Sequence, residues 1–208
     1  MPTDRAPAGF VALADVAPTI RQDLRYTGSD NFVGSPLDGY RNATCVLTLP
    51  AALALSRAAH VLARDGYALT VLDGYRPQRA VDHMRRWAAD PTDQATKARH
   101  YPRVAKERLF GPDYIHTRSG HSRGSTVDVT LTTLGGRPLD MGTRFDFFDP
   151  RSHTDHPDTP LPARVHRCIL GEAMTAAGFR NLPTEWWHFT LLEEPFPDQY
   201  FDFLPGHT

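Results

Sequence analysis

The stretch Ser119-Gly120-His121-Ser122-Arg123-Gly124-Ser125-Thr126-Val127-Asp128 decides how this chain is read. Its end runs on as Thr126-Val127-Asp128-Val129-Thr130-Leu131, polar and apolar in alternation, the pattern of a half-buried strand. Val127, Val129 and Leu131 are expected to face a core, and Thr126, Asp128 and Thr130 the other side. Asp128 is then held on a rigid element, while His121 sits on the glycine-containing loop leading into it. On a helix, seven residues would hold the two about 10 Å apart. On a loop folded back over a strand, they can converge on one cation.

A second piece, Glu185-Trp186-Trp187-His188-Phe189, adds another histidine and a spare carboxylate. Two histidines and one aspartate suit a catalytic zinc that keeps its fourth position open. Glu185 raises a geometric difficulty, because residues three apart on a regular strand point to opposite faces. Thr184 follows Pro183, so Glu185 is placed at the entry to the strand or at a bulge, with His188 in the regular part. Trp186 and Trp187 read as core and wall residues.

The chemistry expected of such a set is hydrolysis. Zinc brings the pKa of a bound water to about 7, Glu185 takes its proton and delivers it to a leaving amine, and a further cation steadies the oxyanion. Arg76, projected from the Asp73-Gly74 turn and stiffened by Pro77, is the candidate. Its alternative is a plain ion pair with Asp73. His116 is the alternative to His121. His153-Thr154-Asp155-His156 could also bind metal but lies in a polar loop, and His60, His83 and His166 fall singly in expected helices.

The 208 residues suffice for one domain with a real core, and the net charge of −1 gives no reason to expect nucleic acid or an anionic membrane as partner. Apolar runs are too short to span a bilayer. Met1 to Ala17 carries Asp4 and Asp15 and no continuous apolar run, so no export signal is expected and the cytoplasm is the expected location. Cys45 and Cys168 lie in apolar surroundings and read as buried thiols, with a disulfide as the alternative.

Strands are expected over Phe10 to Val16, Asp23 to Tyr26, Cys45 to Thr48, Tyr67 to Leu72 and Trp187 to Leu191. A loop from Gly28 to Gly39 is long enough to cover a site. Helices are expected from Pro50 to Gly66, from Pro77 to about Ala89, and from Pro162 to Gly178 with Val165, Ile169, Ala173 and Met174 on one face. Thr92 to Gly111 reads as a polar, basic, partly helical solvated face. Leu134-Gly135-Gly136-Arg137 reads as a hairpin turn with a return strand over Pro138 to Met141. The class is α+β, a single domain over 1–208 with a mostly antiparallel central sheet flanked by helices.

Ser119-x-His121-x-x-Gly124-x-x-x-Asp128 followed by Glu185-x-x-His188 resembles the zinc D-alanyl-D-alanine dipeptidases of the vancomycin-resistance type, relatives of the zinc DD-carboxypeptidases and of the Hedgehog signalling domain. Asp73-Gly74-Tyr75-Arg76-Pro77 and Met141-Gly142-Thr143-x-Phe145-Asp146 match the same family. The resemblance implies one zinc on His121, Asp128 and His188, Glu185 as general base, and Arg76 as the transition-state arginine. It implies Asp146 and Ser119 near the substrate's ammonium end, Tyr26 on a lid over a small pocket, and D-Ala-D-Ala as substrate. One departure is Thr126, where many relatives carry a small alanine, which bears on fine substrate preference. The rivals are a carboxypeptidase or endopeptidase on longer peptidoglycan stems, and a zinc-binding module without turnover.

Overall fold

The computed structural model describes residues 5–40, 44–109 and 116–205. In chain order the elements are β1 (Phe10–Ala12), α1 (Leu13–Val16), β2 (Arg21–Gln22), β3 (Val46–Thr48), α2 (Leu49–Arg64), β4 (Tyr67–Asp73), α3 (Gln78–Ala89), α4 (Lys97–His100), β5 (Thr126–Thr133), α5 (Leu161–Ala176), β6 (Phe179–Leu182) and β7 (Glu185–Leu191). Single 3-10 turns sit at Arg25–Thr27, Lys106–Arg108, Gly120–Arg123 and Pro150–Ser152.

Five strands make the central sheet in the order β2-β4-β5-β7-β6. Among the described residues β2 and β4 run parallel and the other neighbouring pairs of this sheet antiparallel. A separate antiparallel pair joins β1 to β3. Helices α2 and α5 pack on each other and on β4 and β5, burying Leu69, Val71, Val127, Val129 and Leu131. Each such side chain contributes about 1.5–3 kcal/mol by leaving water. The α+β class and the mostly antiparallel sheet stand as the sequence predicts.

The helix starts follow their prolines. Pro50 and Pro162 occupy the first turns of α2 and α5, where a missing N–H costs no hydrogen bond. The buried faces differ from expectation. In α5 the inward residues are Ala163, Arg167, Leu170, Ala173 and Met174, while Val165 is 45% exposed. Arg167 turns the face: its guanidinium donates to the carbonyls of Met141, Arg151 and His153 and so closes the loops over the helix. Cys168, next to it, is consequently exposed rather than buried, and both cysteines are free thiols.

Other expectations are corrected. The first strand stops at Ala12 and continues as helix, and Asp23 to Tyr26 is no strand but the approach to a 3-10 turn. After Gly136 the return is a single bridge, Thr132 to Pro138, not a strand. The 92–109 part of the supposed solvated face buries His100, Tyr101, Lys106 and Leu109, with the Lys106 ammonium donating to the carbonyls of Asp90 and Asp93; residues 110 and 111 lie outside the described residues. The 28–39 loop is itself packed, with Phe32, Val33 and Leu37 buried.

The chain beyond β7 straps the two turns that matter for the site. Phe201 N–H donates to the Ser122 carbonyl, Gln78 N–H donates to the Phe201 carbonyl, and the Tyr75 hydroxyl bonds both the carbonyl and the N–H of Phe203. Phe196, Phe201 and Phe203 close over Phe10 and Tyr75 in a second, aromatic cluster. Phe10 lies so near Gly124 that any Cβ there would stand 2.2 Å from its ring. Glycine is also required at that position by its φ of 82°, which turns the chain out of the His121 turn into β5.

Candidate metal centre and active-site cavity

Three strands bring one row of side chains together. In register, Asp73 of β4 faces Asp128 of β5, and Asp128 faces His188 of β7. His121 comes down on this row from the 3-10 turn, whose start is held by the Ser119 hydroxyl accepting from His121 N–H at 3.3 Å. The donor atoms of His121, Asp128 and His188 all lie within 4.8 Å of one another.

The hydrogen bonds fix which nitrogen of His121 faces the others. Its Nδ1 lies 2.8 Å from the Gly74 carbonyl, which can only accept, so Nδ1 carries the proton and Nε2 presents a lone pair. That Nε2 is 3.3 Å from Asp128 Oδ1, yet both atoms are buried without a hydrogen-bond partner. Two acceptors facing each other at that distance repel unless a cation lies between them. A divalent ion satisfies both atoms at once, and a donor set of two imidazoles and a carboxylate has the composition zinc takes.

His188 completes the set with Nδ1 at 3.3 Å from Asp128 Oδ1 and 3.3 Å from Glu185 Oε2. Burial works against its charge, but the carboxylates of Asp128 and Glu185 beside it prevail and raise its pKa to about 9. A metal at this point takes the place of the His188 proton.

Arg76 makes the ion pair with Asp73 that the sequence offered as its alternative, and it also reaches the donor set. Its Nε and Nη2 each lie 2.9 Å from Asp73 Oδ2, and Nη2 also reaches to 3.5 Å from Asp128 Oδ2. The ring of Tyr26 covers its guanidinium at 4.9 Å. Asp73, wholly buried, accepts from the Tyr40 hydroxyl as well and sits 3.5 Å from His121 Nδ1. Burial, against the pull of Arg76, raises its pKa. Asp73 thus contacts both Arg76 and His121; the first contact was offered by the sequence, the second was not.

Asp146 also lines the cavity. It takes φ of 55°, a left-handed conformation that aspartate tolerates at about 1 kcal/mol or more. Tyr26 donates its hydroxyl to Asp146 Oδ2 at 2.9 Å. Burial first, then repulsion from Asp128, lifts the Asp146 carboxyl well above its ordinary range. Asp146 and Asp73 thus add buried carboxyls beside the Asp128 donor.

The cavity beside these residues measures about 840 Å³ and is bounded by Tyr26, Arg76, Ser119, Asp146, Glu185 and Trp187 among others. All eight residues singled out from the sequence therefore meet in one place. His116 and His153 lie on its wall, but neither belongs to the three-donor group found among the described residues. Arg103 and Arg108, passed over in the sequence as solvated charges, are also on the wall; Arg103 is held there by Asp149. Thr126 spends its hydroxyl on Thr190, across the ladder, at 2.9 Å. Trp186 and Trp187 are buried as expected; Trp186 donates its indole N–H to Thr143, and Trp187 lies edge-on to Phe145.

Comparison with known proteins gives the family. A family model described as D-ala-D-ala dipeptidase matches residues 6–205. A D-alanyl-D-alanine dipeptidase of Streptomyces coelicolor is 46% identical over 93% of this chain and 96% of its own length. The enzyme of that name from Enterococcus faecalis is 42% identical, covering 94% and 97%, and that from Escherichia coli 35% identical, covering 88% and 84%. Among solved structures, VanYB in complex with D-alanine-D-alanine overlaps with a TM-score of 0.42 at 17% identity, covering 72% of this chain and 73% of that one. The LD-carboxypeptidase LdcB overlaps at 0.43 and 16%, covering 93% and 72%. On the strength of the family match and the curated relatives, this chain belongs to the D-Ala-D-Ala dipeptidase family of peptidases.

Proposed function

We propose that the chain hydrolyses D-Ala-D-Ala to two D-alanines, with one zinc held by His121, Asp128 and His188. The observation that carries the reading is the pair of partnerless buried acceptors, His121 Nε2 and Asp128 Oδ1, with the unclaimed Glu185 carboxylate beside the third donor. A zinc ion bound there would supply a Lewis acid and an activated water.

The chain's own groups do the rest. Glu185 Oε2 takes a proton from the attacking water and passes it to the leaving nitrogen. Arg76 is fixed by Asp73 and roofed by Tyr26, so its charge is already in place when the peptide oxygen becomes negative. Asp146 and Ser119 receive the ammonium end, and Tyr26, through its bond to Asp146, ties the lid to that subsite. Arg76, Asp146 and Glu185 have no part in a purely structural zinc site, which is why turnover is the better reading. A cytoplasmic site of action goes with it, since free dipeptide is made there.

The second reading, a carboxypeptidase on longer stem peptides, is favoured by the volume between the described residues, about 840 Å³. Assay of the dipeptide beside a stem pentapeptide ending in D-Ala-D-Ala separates the two. Cleavage of the dipeptide with little on the pentapeptide is expected; cleavage of the pentapeptide alone would replace the first reading by the second.

A further inference from the structure

Glu185 and His188 are three residues apart and face the same point, which a regular strand forbids. The β6–β7 hairpin shows how this is achieved. Phe179, Arg180 and Asn181 pair regularly with Leu191, Thr190 and Phe189, and then the register breaks: Leu182 pairs with Glu185 instead of His188. The residues Trp186, Trp187 and His188 have no ladder partner on β6, and the β5 register reaches His188 but neither tryptophan.

One side chain spans the break. Asn181, at the last regular pair, donates its amide to the Glu185 carbonyl at 3.0 Å and to the His188 carbonyl at 3.0 Å. Its Oδ1 accepts from the Thr154 hydroxyl at 2.6 Å. Thr154 is tied in turn, its N–H donating to the Pro183 carbonyl at 2.9 Å within the β6–β7 turn. A carboxamide is suited to this point because it offers two donors and an acceptor at one end of a short stem. Aspartate has nearly the same shape and no N–H; it would turn two attractions into repulsions.

We propose that Asn181 is a positioning residue that holds the irregular Glu185–His188 segment, so that base and metal donor face one point. The inference rests on the roles given above to Glu185 and His188. Residues that orient metal ligands from behind commonly change affinity or rate by about 10–100-fold.

The test uses the full chain with Asn181→Asp, and reads zinc affinity by competition with a chromophoric chelator, kcat and KM on D-Ala-D-Ala, and thermal midpoint. Expected are zinc binding weakened about tenfold, kcat lowered about 10–100-fold and KM within about threefold, in a folded protein. A folded variant with unaltered zinc affinity and unaltered kcat would overturn the proposal. If Asn181→Asp does not fold, Thr154→Val serves instead. It leaves both donors but frees their carrier, and kcat should fall several-fold at an unchanged midpoint; an unchanged kcat there would equally overturn the role. Zinc affinity remains readable if the wild-type chain cleaves some other peptide, so failure of the substrate reading and failure of this one give different results.

Discussion

Arg76 Nη2 lies 3.5 Å from Asp128 Oδ2, so the arginine proposed for the oxyanion and a carboxylate proposed for the metal are in direct contact. Asp73 secures the arm from behind with both Nε and Nη2. Arg76→Ala is expected to lower kcat on D-Ala-D-Ala by about a hundredfold or more, the scale of lost oxyanion donors. Arg76→Lys should recover little, because an ammonium cannot hold Asp73 and reach forward at once. Steady-state kinetics check this, and an unchanged kcat in the alanine variant would remove Arg76 from the mechanism.

Glu185 Oε2 touches the donor set at His188 Nδ1, 3.3 Å away. Glu185→Gln keeps the shape and an acceptor for that contact but has no basic carboxylate. Zinc content after dialysis is expected to match the wild type while kcat falls about 10²–10⁴-fold. Retained turnover would place the base elsewhere.

Both results depend on features that the sequence displayed unequally. His121 and Asp128 were legible because alternation places Asp128 on a strand and glycines place His121 on a turn. The row Asp73–Asp128–His188 was not, because it exists only once β4, β5 and β7 lie side by side, and strand order is decided by long-range packing rather than by any local pattern. The bulge needed at Glu185 could be argued from spacing, but its holder could not: β6 is short and weakly patterned, and Asn181 reads as an ordinary turn-side polar residue. The return strand after Gly136 failed because glycines signal a turn and say nothing of how many ladder bonds follow it. In α5 the apolar count misled, since a buried Arg167, held by the carbonyls of four loop residues, takes the inward face and leaves Val165 exposed.

His100 gives a pH signature separate from the reaction. It is buried, with Nδ1 2.9 Å from the Asp146 carbonyl, and burial lowers its pKa to about 4. Its unfolded value is near 6.5. The folded protein therefore binds fewer protons than the unfolded one between the two values, and stability rises with pH across that window. The neutral ring's contribution is complete above about 6.5 and is lost as pH falls toward about 4, on the order of 3 kcal/mol at most. Chemical denaturation of the metal-free chain at pH 4.5, 5.5 and 7 should show the decline, and His100→Asn should flatten it. Parallel slopes in the two proteins would contradict the assignment.

The claim beneath all of this is that the His121–Asp128–His188 cluster holds zinc and that the zinc-loaded chain cleaves D-Ala-D-Ala. The most direct measurement is the release of D-alanine from that dipeptide before chelation, after chelation and dialysis, and after zinc is returned. The expected result is activity lost with the metal and restored at about one zinc per chain. Undiminished D-alanine release from a chain shown by elemental analysis to be free of metal would contradict the account.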